Sequence, residues 1–157
     1  MILTERKLHS ALKDARAILA SVGFARCTAH VRVELSTTFT DQRALGFYYP
    51  DRSIRLPVLF FLVQSFSQLW NAATGRISHS DIVFVLLHEY GHAVEDALGV
   101  RHADYRCFGR GARPTAYAAK NWSEDFAESF AVWASGGHVS PARVRAFEVL
   151  RPGRRGR

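Results

Sequence analysis

The chain has few cysteines and no long apolar run. Two of its 157 residues are cysteines, Cys27 and Cys107, and they do not form a C-x-x-C motif. This number excludes a disulfide framework and favours a reducing compartment, although it leaves open whether the two thiols pair. The longest apolar stretches, at 58–63 and 82–87, have the length of core segments and are too short to span a membrane.

The sequence shows no internal repeat or low-complexity linker. Residues 1–7 lead into a charged amphipathic helical pattern and do not have the order of a signal peptide, so none is expected. We therefore expect a cytoplasmic protein, with delivery by a signal-less export route as the alternative. Because 48% of the residues are hydrophobic, a single domain over residues 1–150 can bury its own core.

The positive charge of the chain comes mostly from arginine. The net charge is +7, and arginines cluster at 101–113 and at 143–157. They indicate either an acidic partner or nucleic acid, or a solvated basic segment ending in a disordered tail at 151–157. We favour the second interpretation, because no array of basic and aromatic residues typical of a nucleic-acid module accompanies them. The arginines at 101–113 could border a cleft and favour acidic side chains in a substrate.

Residues 88–92 read His-Glu-Tyr-Gly-His, which is an H-E-x-x-H motif. On a helix, His88 and His92 share one face, so both imidazoles can reach a single metal ion. Glu89 lies beside them and can take a proton from a water molecule at that ion. The alternative is a helix that carries two ordinary histidines.

The flanking residues favour a buried helix around this motif. N-cap groups lie at 78–81, an apolar run follows at 82–87, and Gly99 fits the position just after the helix. Two histidines and a glutamate in such a helix are costly to bury without partners. The sequence therefore predicts one zinc ion (Zn2+) as cofactor. The metzincin class is excluded, because Glu95 and Leu98 occupy the positions of its glycine and third histidine.

A second helical pattern at 121–133 places two carboxylates, those of Glu124 and Glu128, on a face separate from its apolar stripe. If this face meets the metal, Glu124 can ligate the ion and Glu128 can accept a hydrogen bond from a ligand imidazole. Alternatively, both glutamates are exposed to solvent, and Glu124 completes a capping box begun by Asn121. If Glu124 is not the third ligand, the remaining candidates are Asp96, His102, Asp104 and Glu128.

An H-E-x-x-H helix followed by a helix with E-x-x-x-[DE] resembles the gluzincin metallopeptidases. Within this group, the run from Tyr117 to Phe130 is similar to the catalytic domain of anthrax lethal factor and its relatives, which carry a tyrosine seven residues before the glutamate ligand. The resemblance covers about residues 81–134. It implies that zinc is bound by His88, His92 and Glu124, that Glu89 is the general base, that Tyr117 stabilises the transition state or assists the leaving group, and that Glu128 is an outer partner of a ligand.

The order of elements suits a zincin-like α+β domain, with a small mixed sheet packed on the active-site helix and further helices. We predict helices at 4–22, at 60–73 and from 141 to about 150, a strand at 31–35, and a hairpin of strands at 45–49 and 53–56. In zincins an edge strand runs above the site helix, and the hairpin at 46–56 is our candidate for it; an ordinary core hairpin is the alternative. Gly91 is expected to permit close approach of a neighbouring backbone.

These patterns predict a zinc-dependent metalloendopeptidase that acts on a peptide or protein substrate. One alternative is a zinc-binding interaction module without turnover. Another is a basic nucleic-acid-binding protein in which the motif is fortuitous.

Overall fold

The computed structural model of the chain describes residues 2–37, 46–58, 81–101, 103 and 112–153. The described residues form five α-helices, one 3-10 turn and one three-stranded mixed sheet, which confirms the predicted α+β class. The helices are α1 (Ile2–Ser21), α2 (Ala25–Thr28), α3 (Ile82–Leu98), α4 (Trp122–Ala134) and α5 (Pro141–Leu150), and the strands are β1 (Arg32–Ser36), β2 (Phe47–Tyr49) and β3 (Ser53–Pro57). The predicted helix at 60–73, Leu45, residues 78–80, His102, Asp104, Cys107 and residues 154–157 lie outside the described residues.

Helix α1 packs on the core through one face, as its apolar pattern predicts. Leu8, Ala15 and Leu19 are buried on this face. The chain then turns at Gly23, whose φ of +85° lies in the left-handed region that favours glycine. The turn leads to Phe24, which is fully buried.

The sheet has the strand order β1-β3-β2, with β1 parallel and β2 antiparallel to β3. The antiparallel pair is the predicted hairpin. In its turn the Asp51 carboxylate accepts hydrogen bonds from the backbone N–H of Ser53 at 3.0 Å and from its hydroxyl at 2.6 Å. Ile54 and Leu56 of the central strand are fully buried. Within the sheet that the described residues form, strand β2 lies at one edge.

Helices α3 and α4 form the centre of the described residues, and the predicted capping residues mark both ends of α3 and the start of α4. The Asp81 carboxylate accepts a hydrogen bond from the Val83 N–H at 2.7 Å, and Gly99 closes α3 with a φ of +60°. The close approach expected at Gly91 is confirmed, because a Cβ atom there would lie 2.8 Å from the Ala127 Cα atom of α4.

Helix α5 begins at Pro141, as predicted, but one of its arginines is not solvated. Arg143 is only 1% exposed. Its guanidinium donates hydrogen bonds to both carboxylate oxygens of Asp125, at 2.7 and 3.1 Å. The prediction of a solvated basic segment is therefore wrong at Arg143, because the paired geometry compensates the desolvation of both charges. No helix in the described parts of the chain combines the length and apolar character needed to cross a membrane.

Candidate metal centre

Helices α3 and α4 bring His88, His92 and Glu124 into one cluster. Their donor atoms all lie within 4.8 Å of one another. The Oε2 atom of Glu124 is 3.1 Å from Nε2 of His88 and 3.6 Å from Nε2 of His92. Donors at the corners of a tetrahedral zinc site are about 3.3 Å apart, as bonds of about 2.0–2.1 Å require. The cluster could therefore hold a metal ion without large rearrangement.

This cluster forms because of the spacing along one helix and the close approach of the other. His88 and His92 are one turn apart on α3, and their ring centroids are 5.0 Å apart. The contact at Gly91 brings the first turns of α4 against the same face. Asn121 caps this helix by accepting a hydrogen bond from the backbone N–H of Glu124 at 2.9 Å, while the Glu124 carboxylate faces the histidines.

Glu128 lies one turn further along α4 and holds the first histidine. Its Oε2 atom is 2.8 Å from Nδ1 of His88, and its side chain is 1% exposed. Since an ionised carboxylate only accepts hydrogen bonds, this contact places a proton on Nδ1 and leaves Nε2 for a metal. The alternative of solvent-exposed glutamates is wrong, because Glu128 is buried and the side chain of Glu124 is 22% exposed.

The second histidine is held by two residues for which this role was not predicted. The Ser123 hydroxyl lies 3.2 Å from Nδ1 of His92 and donates a hydrogen bond to the Glu95 carboxylate at 2.8 Å. One signal was present in the sequence, because Glu95 follows His92 at the i+3 position of the same helix and shares its face. Nothing in the sequence indicated that Ser123 lies between them.

Glu89 is buried beside the cluster, under the edge strand of the sheet. Its carboxylate accepts a hydrogen bond from the backbone N–H of Tyr48 in β2. Burial raises the pKa of Glu89, and the nearby His88 and His92 oppose this change. The residue is therefore a candidate proton acceptor beside the ligands rather than one of them.

Tyr117 lies in the 3-10 turn Tyr117–Ala119, on the approach to α4. Its ring centroid is 5.6 Å from that of His88, and the Lys120 ammonium lies 3.8 Å from the tyrosine ring centroid. Thr115 stabilises the turn, since its hydroxyl accepts from the Ala118 N–H at 3.3 Å and donates to Glu128 at 2.8 Å. The turn is thus tied to the carboxylate that holds the first histidine.

A single cavity of about 740 Å³ contains the cluster. Strand β2 forms one wall and the C-terminal half of α3 forms another. The lining residues include all four residues of the predicted catalytic centre and Tyr117, together with Phe47, Tyr48, Glu95, Asp96 and Arg101.

Of the other candidates for a third ligand, the two that the structure describes have other partners. Asp96 accepts a hydrogen bond from the Tyr48 hydroxyl at 3.0 Å, and Glu128 is bound to the outer nitrogen of His88. His102 and Asp104 lie outside the described residues. Of the loop arginines that are described, Arg101 lines the cavity, whereas Arg113 lies 3.8 Å from Asp125. A preference for acidic substrates remains a prediction.

The charges of the cluster are strongly coupled when no metal is bound. Burial lowers the pKa of His88 and His92, but the nearby carboxylates outweigh it, Glu124 for both rings, Glu128 for His88 and Glu95 for His92. They raise the two pKa values to about 10 and about 9. Burial opposes ionisation of Glu124, but the hydrogen bonds from both histidines prevail and hold the pKa of this carboxyl group well below its ordinary value. A metal ion would replace the protons that balance this carboxylate.

Among the described residues, His88, His92 and Glu124 are the group of side chains that could hold a metal ion. The structure brings these three together with Glu89, Glu128 and Tyr117, which are the other residues predicted for the site. Comparisons of the chain with protein-family models, with curated proteins and with solved structures found no match.

Proposed function

We propose that the chain is a zinc-dependent metalloendopeptidase of the gluzincin type, built on a zincin-like domain. The observation that carries this proposal is the cluster of His88, His92 and Glu124, with the buried Glu89 in the same cavity. Two imidazoles and one carboxylate are the protein ligands of catalytic zinc sites that keep a fourth position open. A zinc site with only a structural role has no chemical need for a buried carboxylate beside its ligands.

Each residue has a distinct role in the proposed reaction. His88, His92 and Glu124 would hold one zinc ion, which supplies a Lewis acid that polarises the scissile carbonyl and makes water a better nucleophile near neutral pH. Glu89 takes the proton of the attacking water and passes it to the leaving amine. The raised pKa of Glu89 suits this role, because a stronger base accepts the proton more readily.

Tyr117 acts on the substrate side of the reaction. Its ring packs against His88 at 5.6 Å between centroids, and the residue lines the same cavity as the cluster. From there the hydroxyl can donate a hydrogen bond to the oxyanion that develops as the carbonyl is attacked. Glu128 acts through His88, by keeping the proton of that imidazole on Nδ1.

The proposed substrate is an extended segment of a peptide or protein. Strand β2 lies at the edge of the sheet and lines the cavity that contains the cluster. An edge strand can pair with an extended chain, and such pairing would bring a peptide bond close to the proposed centre. The same strand donates its Tyr48 N–H to Glu89, so the general base and the docking edge are held together.

A peptide-library experiment tests this function. The zinc-loaded protein and its Glu89→Gln variant are incubated with a diverse set of peptides, and the products are identified by mass spectrometry. We expect cuts by the unaltered protein and a loss of about 10²–10⁴-fold in rate for the variant, because the base is removed while the ligands remain. Glu148→Gln, which changes a glutamate of α5 outside the cavity, is the matched control and should cut normally.

Two other outcomes separate the rival functions. If the variant cuts as fast as the unaltered protein, Glu89 is not the base. If neither protein cuts although zinc is bound, the chain is a zinc-binding module rather than a peptidase. A nucleic-acid-binding protein would instead show steeply salt-dependent affinity for nucleic acid without any bound zinc.

A further inference from the structure

The second ligand histidine has an outer partner that is built from two helices. Ser123 belongs to the first turn of α4, and Glu95 belongs to α3, one turn beyond His92. The serine hydroxyl lies between the other two side chains, at 3.2 Å from Nδ1 of His92 and 2.8 Å from Oε2 of Glu95. The direct distance from that Nδ1 atom to Oε2 of Glu95 is 3.7 Å, which is too long for a good hydrogen bond.

The direction of these hydrogen bonds follows from the donors that each group possesses. A serine hydroxyl has one proton, and here this proton is donated to the Glu95 carboxylate, which can only accept when ionised. In its contact with His92, the serine oxygen can therefore only accept a hydrogen bond. The Nδ1 atom of His92 must then carry a proton, and Nε2 is left with the lone pair that a metal needs.

We propose that Ser123 and Glu95 are positioning residues that together fix the tautomer and ring orientation of His92 for metal binding. This inference rests on the proposed function, because it assumes that His92 is a metal ligand. It assigns to the second histidine the support that Glu128 gives to the first. The side chains involved are largely shielded from solvent, since His92 is 19% and Glu95 is 15% exposed, so water competes poorly for these contacts.

The arrangement also explains why the serine is needed between the histidine and the carboxylate. Glu95 lies on the same helix as His92 and does not reach its Nδ1 atom directly. The hydroxyl from α4 closes this gap and ties the two helices together next to the ligands. Glu124 follows Ser123 in the chain, so the same turn of α4 supplies one ligand and orients another.

Zinc affinity, measured without substrate by competition with a chelator, tests the proposal. Outer partners of ligand histidines contribute about 10–100-fold to metal affinity. We expect about tenfold weaker zinc binding for Ser123→Ala and for Glu95→Gln. Because the two residues act through one chain of hydrogen bonds, the loss of binding free energy in the double variant should be smaller than the sum of the two single losses. Ser123→Thr keeps the hydroxyl and should restore the affinity of the unaltered protein.

Two control variants exclude simpler explanations. Asp96→Asn removes the same charge from the neighbouring residue, which is bound to Tyr48 instead of a ligand, and should weaken zinc binding less than Glu95→Gln. Ser135→Ala removes an exposed hydroxyl at the other end of α4 and should leave zinc affinity unchanged. Thermal unfolding of the metal-free proteins shows whether any variant has lost its fold.

Nuclear magnetic resonance of the imidazole nitrogens gives a readout that a merely structural role would not change. In the zinc-loaded protein we expect a protonated Nδ1 atom at His92, and a shifted or lost signal for this proton in Ser123→Ala and in the double variant. A double variant with unchanged zinc affinity and an unchanged Nδ1 proton would overturn the inference. If the unaltered protein binds no zinc, the proposed function itself fails. If zinc is bound but no peptide is cut, the inference is still decided by the affinities.

Discussion

Gly46 lies against the carboxylate of Glu89, and there is little room for a side chain at this position. A Cβ atom at residue 46 would lie 3.1 Å from both Cγ and Oε1 of Glu89 and 3.0 Å from a methyl group of Leu56. Gly46→Ala should therefore displace Glu89, the proposed general base, by a few tenths of an ångström. We expect turnover to fall by about 10–100-fold, since small misplacements of catalytic groups are costly.

Zinc content distinguishes this effect from damage to the metal site. Because Glu89 is not one of the three clustered donors, Gly46→Ala should bind as much zinc as the unaltered protein. Peptide-cleavage rates and zinc content are measured on the same preparations. Unchanged turnover in Gly46→Ala would show that the edge strand does not position Glu89.

The two ligand histidines also predict how zinc binding depends on pH. Without metal, the pKa values of His88 and His92 are raised from 6.5 to about 10 and about 9, so both rings are protonated at pH 7. Zinc must displace these protons, and its affinity should therefore rise as the pH rises from 6 to 9. The raised pKa values also stabilise the metal-free protein, and this stabilisation depends on pH in the opposite direction. It is fully present below pH 6.5 and is lost as the pH rises through 9 to 10.

Titration calorimetry checks the proton count. Binding heats in two buffers with different protonation enthalpies give the number of protons released per zinc ion, for which we expect about two at pH 7. The number of protons released should fall as the pH approaches 10, because the two rings are then increasingly neutral before zinc binds. Zinc binding with no proton release at pH 7 would contradict the charges assigned to the cluster.

At the scale of secondary-structure elements, the site depends on how closely α3 and α4 approach each other. Gly91→Ala adds a Cβ atom that would lie 2.8 Å from the Cα atom and 3.1 Å from the carbonyl oxygen of Ala127. These are backbone atoms, so the helices must separate. We expect the variant to be destabilised by about 1–3 kcal/mol, although alanine is the better helix former by about 1 kcal/mol.

The same separation should weaken zinc binding, because it moves Glu124 away from the two histidines of α3. Urea denaturation and zinc affinity are measured together on Gly91→Ala. A variant that is as stable as the unaltered protein and binds zinc equally well would show that this contact does not position the ligands.

Several elements are predictable from sequence because their information is local. The 3.6-residue periodicity predicts α1, and capping residues at Asp81, Gly99 and Asn121 mark the ends of α3 and the start of α4. The hairpin is predictable from the turn at residues 50–52 between two short apolar strands. The four-residue helix α2 and the parallel pairing of β1 with β3 are not, because they depend on contacts between distant parts of the chain.

In the candidate site, too, the local features are predictable from sequence and the contacts between distant residues are not. The i, i+4 spacing of the histidines predicts that they meet, and the resemblance to gluzincins indicates Glu124, Glu128 and Tyr117. The bridge of Ser123 to Glu95 could not be predicted, since it requires the relative position of two helices. The pairing of Arg143 with Asp125 could not be predicted either, since it also joins two helices. An arginine in a basic segment is usually solvated.

For the molecule as a whole, the centre joins helices that are far apart in the sequence. A metal ion held by His88 and His92 of α3 and by Glu124 of α4 would cross-link the core, and its binding energy would add to the stability of the fold. The positive net charge of +7 does not extend to the described lining of this cavity, where acidic side chains are numerous. These carboxylates favour a cation at the centre of the molecule.

The zinc content of the purified protein and of its Glu124→Ala variant, determined by elemental mass spectrometry, tests the central claim most directly. We predict about one zinc ion per chain in the unaltered protein and loss of the ion in the variant, because two imidazoles alone make a much weaker site. Glu148→Gln, on α5 and outside the cavity, should keep its zinc. Zinc that is absent from the unaltered protein, or unchanged in Glu124→Ala, would contradict the assignment of His88, His92 and Glu124 as the metal centre.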